Sequence, residues 1–153
     1  MPGKKGSQIS LILFIFSLDR LAKFLVVKYL SVSDSIPVIN GVFHVTLVYN
    51  RGAAFGMLKN QVPLFIFVSL AAIVLIFINL KKDNSLLSRI SLSLILAGAL
   101  GNLVDRIFLG HVVDFLDFRI WPVFNIADSA ITIGAILLGY TILKKPVSVK
   151  TKK

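Results

Sequence analysis

The uninterrupted apolar run Val62–Leu80 constrains the fold of this chain more than any other feature. It has no charged residue along its length, and as a helix at about 1.5 Å per residue it would reach about 28 Å. A bilayer's hydrocarbon core is about 30 Å thick. The composition agrees, because 56% of the 153 residues are hydrophobic, whereas soluble domains usually have about 45–50%. The run therefore predicts a transmembrane helix.

Three further apolar runs, at about residues 9–30, 88–108 and 126–143, predict additional spans. Charged residues interrupt the first run, and each of the other two must include its polar end to be long enough to cross a bilayer. We predict an α-helical membrane protein with four transmembrane helices, in which residues 1–153 form a single domain. The connections on the outer side would be the loops 31–61 and 109–125.

Basic residues are concentrated on one side of this four-span arrangement. Two lysines precede the first span, three basic residues separate the second span from the third, and five lysines follow the fourth. The positive-inside bias therefore places both basic termini in the cytoplasm. The net charge of +10 is explained by attraction to anionic membrane lipids and does not indicate a nucleic-acid partner. The two outer connections carry only Arg51, Lys59 and Arg119.

The residue types restrict the available chemistry. The chain has no Cys, which excludes a thiolate nucleophile, a disulfide and a Cys-based metal site. His44 and His111 have no metal-ligand spacing, so we predict no metal site. Lys4 and Lys5 precede an apolar stretch, as in a cleaved signal peptide, but Ser17–Arg20 is not a small-residue cleavage site. Carboxylates near the apolar runs remain as the candidates for covalent chemistry.

The first outer loop has the pattern of a β-hairpin. Asn40–Gly41 is the preferred two-residue hairpin turn, and residues 43–49 alternate with a period of two. We predict a small extracytoplasmic β element that lies on the membrane surface between the first two spans. In the second outer loop, Trp121–Pro122 suits an interfacial anchor.

Polar residues inside the spans have competing interpretations. Asp19 and Lys23 share a helix face, either as an ion pair that neutralises itself or as part of an active site. The third span has a stripe of small and polar residues, which indicates packing through Gly with Asn as an interhelical hydrogen-bonding group. The last two residues of this stripe, Asp105 and Arg106, can also be interpreted as an interfacial ion pair. The stripe consists of Gly98, Gly101, Asn102, Asp105 and Arg106.

Asp114 and Asp128 are the strongest candidates for catalysis. If they meet across the short loop between them, two carboxylates can share a proton and act on water as acid and base. Capping is the alternative, with Asn125 as the N-cap of the fourth helix and Asp128 supporting its dipole. In that case Asp114 and Asp117 would be solvated loop charges. The spacing alone favours capping.

Five blocks of sequence resemble those of the bacterial lipoprotein signal peptidases, also called signal peptidase II. Each block alone is a weak signal, but five in the family's order, over almost the whole chain, are specific. No motif position departs from the family pattern. The blocks are DRLAK at 19–23, NRGAAFG at 50–56, GALGNLVDR at 98–106, VDFLDF at 113–118 and FNIADS at 124–129.

This resemblance implies an aspartic endopeptidase of the bacterial cytoplasmic membrane, with its active site near the outer face. It would remove the signal peptide from diacylglyceryl-modified prolipoproteins by cutting just before the lipidated cysteine. Asp114 and Asp128 match the family's catalytic dyad. The family needs no cofactor, suggests a monomer and is the target of the cyclic peptide globomycin. Positions that match the family's substrate-binding or dyad-supporting residues are Asp19, Lys23, Asn50, Arg51, Gly52, Asn102, Arg106 and Asn125.

The β element and the loop Asn50–Gly56 would correspond to the family's cradle and lid. Two other classes of function compete with a peptidase. A small ion-coupled transporter would use Asp19, Lys23 and Asp105 as a relay, but the four spans show no internal repeat. A non-enzymatic membrane chaperone would use the β element as its binding surface. Neither accounts for the five ordered blocks.

Overall fold

The architecture is four helices with a small sheet. The computed structural model describes residues 3–52, 58, 60–82 and 85–144. Much of the predicted lid, residues 53–56, and the lysine-rich tail from residue 145 lie outside the described residues. All four predicted helices are present, and their ends lie within two residues of the predicted ones, except that the first helix begins six residues earlier than predicted. The elements are α1 (Gly3–Tyr29), β1 (Ser35–Ile39), β2 (Phe43–Asn50), α2 (Val62–Lys82), α3 (Leu86–Leu109), β3 (Val112–Asp117) and α4 (Ile126–Leu143).

Three helices in the described part of the chain are long and apolar enough to cross a membrane. They are α2 over Val62–Leu80, α3 and α4. α1 does not meet this criterion, because every stretch of membrane-spanning length within it includes several charged residues. No part of Val62–Leu80 is buried inside the protein, which is the pattern of a helix that faces lipid. The assignment of α1 as a fourth span stays a prediction.

α3 lies at the centre of the bundle and contacts α1, α2 and α4. The glycines of the predicted stripe permit this packing. A Cβ atom on Gly98 would overlap the carbonyl oxygen of Ala127 in α4, and one on Gly101 would lie 2.7 Å from Oδ2 of Asp19 in α1. The packing interpretation of these two glycines is therefore confirmed.

The strands form one antiparallel sheet in the order β1-β2-β3. Asn40–Gly41 does turn the chain, and Val42 N–H donates to the Ile39 carbonyl at 3.0 Å. Of these two residues only Gly41 has a positive φ, of 73°, and three residues separate the strands. A type I′ turn, which requires a positive φ at both positions, is therefore absent from this hairpin.

The third strand corrects the sequence-based prediction, which treated residues 109–125 as loop. β3 pairs with β2 and anchors the sheet to the helices through a small core. Leu47 of β2 and Val113 of β3 are each 1% exposed, and they pack with Val26 of α1 and Phe115. Because side chains alternate along a strand, burying Val113 and Phe115 on this core turns the intervening Asp114 to the other face.

Candidate active site

β3 positions Asp114 in the interior of the protein. Its side chain is 2% exposed, and each carboxylate oxygen accepts one hydrogen bond. Asn50 Nδ2, from the end of β2, donates to Oδ2 at 2.9 Å, and Asn125 Nδ2 donates to Oδ1 at 2.7 Å. Asp114 is therefore not a solvated loop charge, and the pairing of β3 with β2 brings Asn50 to it.

The N-terminus of α4 positions Asp128. Asn125 is the N-cap, and its Oδ1 accepts a hydrogen bond from the Asp128 backbone at 2.8 Å. Asp128 Oδ2 accepts one in return from the Asn125 backbone at 3.3 Å, which completes a capping box. The predicted cap is thus confirmed. It does not exclude catalysis, because the other oxygen, Oδ1, accepts a hydrogen bond from Asn102 Nδ2 of α3 at 2.7 Å.

Asn125 links the two carboxylates. Its side-chain oxygen caps α4 at Asp128, while its Nδ2 lies 2.7 Å from Asp114 Oδ1, 3.1 Å from Asn102 Oδ1 and 3.3 Å from the Val113 carbonyl. An amide nitrogen has two hydrogens, so these three acceptors share them. The side chain is fully buried, and therefore its orientation is fixed by the groups on both sides.

A layer of buried charge lies behind this pair. Lys23 Nζ lies 2.9 Å from Asp19 Oδ2, 2.8 Å from Asp105 Oδ2 and 3.1 Å from Asn102 Oδ1. Lys23 thus forms ion pairs with two carboxylates and donates a hydrogen bond to Asn102 Oδ1. The predicted Asp19–Lys23 ion pair is therefore confirmed, but it does not neutralise itself alone. It belongs to a network that continues through Asn102 to Asp128.

Asp105 and Arg106 do not form the ion pair suggested by their position. Asp105 is fully buried and pairs with Arg20 and Lys23 of α1. Adjacent residues on a helix point in different directions. Arg106 accordingly points towards α2, where its guanidinium carbon lies 5.1 Å from the ring centroid of Phe65.

Asp19 also contacts the start of α4, which the sequence did not indicate. Its Oδ1 accepts a hydrogen bond from the Ala127 backbone at 3.0 Å. Ala127 is the residue before Asp128, in the first turn of the helix, where backbone N–H groups lack partners within the helix. A carboxylate at this end is favoured by the helix dipole. Asp19 therefore helps to fix the turn that carries Asp128.

Arg51 and Gly52 lie at the edge of the site. Gly52 is buried, and its backbone N–H donates to Asn50 Oδ1 at 2.9 Å, so it orients the amide that contacts Asp114. Arg51 is exposed. His111 packs against the ring of Tyr49, with 4.2 Å between centroids. Within the described residues no group of three His, Asp or Glu side chains could hold a metal ion.

The pKa of Asp114 is raised from 3.8 to about 7, mainly by burial and in addition by the negative charge of Asp128. The hydrogen bonds from Asn50 and Asn125 and the charge of Lys23 oppose this rise. A carboxyl group with a pKa near neutrality can hold or release a proton at physiological pH, as general acid–base catalysis requires.

Asp117, in the same strand, has a different environment. It is buried, but its carboxylate accepts hydrogen bonds from Thr46 Oγ1 and from the backbone and guanidinium of Arg119 at 2.8–2.9 Å. Burial alone would raise the pKa of Asp117, but these hydrogen bonds and the Arg119 charge outweigh it and lower the pKa. Asp117 is therefore neither a solvated loop charge nor part of the group around Asn125.

The fold and this site define a helical membrane protein in which one buried residue, Asn125, contacts two aspartates. Its side-chain amide donates to the Asp114 carboxylate, and its backbone N–H donates to the Asp128 carboxylate. We call the group the polar cluster. Its members are Asp19, Lys23, Asn50, Asn102, Asp105, Asp114, Asn125 and Asp128. The family model for signal peptidase (SPase) II matches residues 11–144. The chain belongs to the signal peptidase II family, and it is a peptidase.

Known proteins agree with this assignment. A lipoprotein signal peptidase from Caldanaerobacter subterraneus is 49% identical over 139 residues, which cover 90% of this chain and 96% of that protein. One from Halothermothrix orenii is 52% identical over 128 residues, covering 83% and 88%. A solved structure described as a bacterial membrane enzyme superposes with a TM-score of 0.89 at 34% identity, covering 97% of this chain and 94% of that one.

Proposed function

We propose that this enzyme removes the signal peptide from diacylglyceryl-modified prolipoproteins, with Asp114 and Asp128 as its catalytic dyad. The proposal depends on one observation, that Asn125 contacts both residues. Its side-chain amide donates to Asp114, and the capping box joins it to Asp128. The resemblance and the named relatives support the substrate, and the raised pKa of Asp114 supports its role.

The chemistry follows from two carboxyl groups that share a proton. The ionised member accepts a proton from a water molecule as the water oxygen bonds to the scissile carbonyl carbon. The protonated member donates a hydrogen bond to the oxyanion that forms. When the carbon–nitrogen bond breaks, a proton passes to the leaving amine, and a carboxylic acid is released. The dyad titrates as a unit, so the two roles belong to the pair.

The remaining members of the polar cluster would hold the dyad and do not react. Asn50, Asn102 and Asn125 donate to its oxygens. Lys23 supplies positive charge without contacting either member, since its partners are Asp19, Asp105 and Asn102. This arrangement stabilises negative charge on the pair but leaves both carboxylates able to bind a proton.

The proposal extends to the whole chain as a single domain in the cytoplasmic membrane. Four spans would place both termini in the cytoplasm and the dyad near the outer face. The junction between the signal peptide and the mature part of an exported protein would lie at the same face. The lipid-facing surface of α2 supports access from the bilayer. We propose that the enzyme acts as a monomer surrounded by membrane lipids, with the loop after Asn50 as the lid.

Cleavage assays in detergent test the substrate class. The purified chain should cut a diacylglyceryl-modified prolipoprotein before its modified cysteine, and should leave the same prolipoprotein without the lipid intact. Equal cleavage of both forms would contradict the lipid requirement. Cleavage of neither would leave the proposed substrate unsupported. A proton-gradient-dependent uptake activity would instead favour the transporter.

A further inference from the structure

A cavity lies at the end of the bundle away from the proposed dyad, between the N-terminal parts of α1 and α3. Its volume is about 330 Å³, within the range of small-ligand sites. Arg89 lies 13 residues before Asn102 along α3, which at about 1.5 Å per residue is about 20 Å from the polar cluster. The side chains that form it include Gln8, Leu11, Leu86, Arg89, Ile90 and Ser93.

Two polar atoms of this lining are buried without a hydrogen-bond partner among the described residues. They are Ser93 Oγ and Gln8 Nε2, and Ser93 is a buried residue. A buried polar group without a partner costs about 1–3 kcal/mol. Both groups can donate a hydrogen bond, so a ligand with acceptor oxygens would satisfy them.

The rest of the lining indicates a ligand that is part anionic and part apolar. Arg89 contributes a guanidinium group to the lining, and guanidinium groups bind phosphate oxygens well. The first turn of α3 adds partial positive charge. Leu11, Leu86 and Ile90 offer an apolar wall. A free phosphate ion would leave that wall without a partner.

From this geometry we propose that the cavity binds one anionic phospholipid, with the headgroup phosphate at Arg89 and Ser93 and the start of an acyl chain against Leu11 and Ile90. The proposal is independent of the peptidase activity. It places the lipid in the leaflet opposite the dyad, which is the cytoplasmic leaflet if the proposed orientation holds.

Native mass spectrometry of the full chain in lipid-free detergent tests this site. The chain is mixed with phosphatidylglycerol or with phosphatidylcholine of the same acyl chains, and bound lipid is counted. We expect one phosphatidylglycerol to be retained in preference to phosphatidylcholine. Ser93→Leu, which fills the cavity without changing the charge, and Arg89→Gln should each lower retention about tenfold, the effect of losing one charge-assisted contact.

Lys144→Gln is the matched control, because it removes a positive charge at the same end of the bundle but outside the cavity. It should change retention less than about twofold, as expected for a screened surface charge. Ser93→Ala, expected to lower retention by a smaller factor, replaces Ser93→Leu if that variant does not fold by circular dichroism.

Several results would overturn the proposal. Equal retention of the two lipids would show that the cavity has no anionic preference. An equal loss in Lys144→Gln and Arg89→Gln would indicate diffuse attraction to the basic surface. Displacement of the lipid by millimolar inorganic phosphate would identify a phosphate site. Unchanged retention in Arg89→Gln and both Ser93 variants would place the lipid elsewhere.

Discussion

At the scale of single residues, the site depends on side chains that contact more than one partner. Asn125 caps α4 and contacts Asp114, and Lys23 contacts two carboxylates and an amide. Each of these groups is buried, where an unpaired polar atom is costly. Substitutions that preserve one contact and remove another can therefore separate structural roles from catalytic ones.

Asn125→Ser should separate the cap from the dyad contact. Serine is a good N-cap, so the helix start should be retained, but the amide that donates to Asp114 is lost. We expect a smaller loss of thermal stability than in Asn125→Ala, because the cap is retained while the buried acceptors of Nδ2 lose their donor. The rate of prolipoprotein cleavage should be lower by about 10²-fold, the size of effect seen when one positioned donor is removed. Asn125→Ala, which also removes the cap, should lower both quantities. Near-parental cleavage by Asn125→Ser would show that the dyad does not need this amide.

The raised pKa of Asp114 predicts a pH dependence of stability. Between 3.8 and about 7 the folded chain holds this proton while the unfolded chain has released it, so the contribution of Asp114 to stability falls as pH rises through this interval. At about 1.4 kcal/mol per unit of pKa the loss is on the order of a few kcal/mol. The unfolding temperature of Asp114→Asn should therefore fall less between about pH 5 and about pH 8 than the unfolding temperature of the parent. An identical decrease in both proteins would contradict the raised pKa.

At the scale of elements, the close contact between α3 and α4 sets the position of Asp128. Gly98 permits this contact, because a Cβ atom there would overlap the Ala127 carbonyl oxygen. Asp19 fixes the same turn from the α1 side. The first turn of α4 is thus held by two helices.

Gly98→Ala should therefore displace α4. We expect a loss of about 1–3 kcal/mol of stability, typical of overpacking, together with reduced cleavage. Gly139→Ala is the matched control, since a Cβ atom there would meet nothing within 4 Å and alanine favours a helix by up to about 1 kcal/mol. Thermal unfolding of both variants in the same detergent checks this. Equal stability of the two would mean that the α3–α4 contact can relax without cost.

These elements were unequally predictable from sequence. The helices follow from long apolar runs, and the capping box follows from the local spacing of Asn125 and Asp128. β3 was missed because Val112–Asp117 is short and contains two aspartates, which are depleted in strands. The contact between Asp19 and Ala127 joins residues 108 positions apart, and no local pattern indicates it. For the same reason, the partners of Asp105 could not be read from its neighbours in the chain.

At the scale of the whole molecule, the polar cluster and the lipid-facing surface lie on different elements. α2 has no buried residue in its apolar run, while α3 and the start of α4 surround the charged interior. Water must reach the dyad, and the buried charges are consistent with ionisable groups in membranes facing an interior cavity. The proposed orientation then determines from which side the substrate arrives.

The absence of native cysteines makes that orientation simple to test. Ile120, which precedes α4 and is 94% exposed, and Lys144, which follows it, can each be replaced by Cys. A membrane-impermeant maleimide should label Ile120→Cys in intact cells and Lys144→Cys only after permeabilisation. The parent chain, which has no Cys, is the blank. The reverse pattern would invert the proposed topology.

Cleavage of the diacylglyceryl-modified prolipoprotein by three single Asp→Asn variants tests the central claim most directly. Asp114→Asn and Asp128→Asn should each lose at least about 10³-fold in rate, because neither remaining carboxyl group can serve as both acid and base. Asp117→Asn, in the same strand as Asp114 but outside the polar cluster, should retain a rate within about tenfold of the parent. Near-parental cleavage by Asp114→Asn or Asp128→Asn, with both proteins folded, would contradict the dyad and return Asp128 to the role of a helix cap.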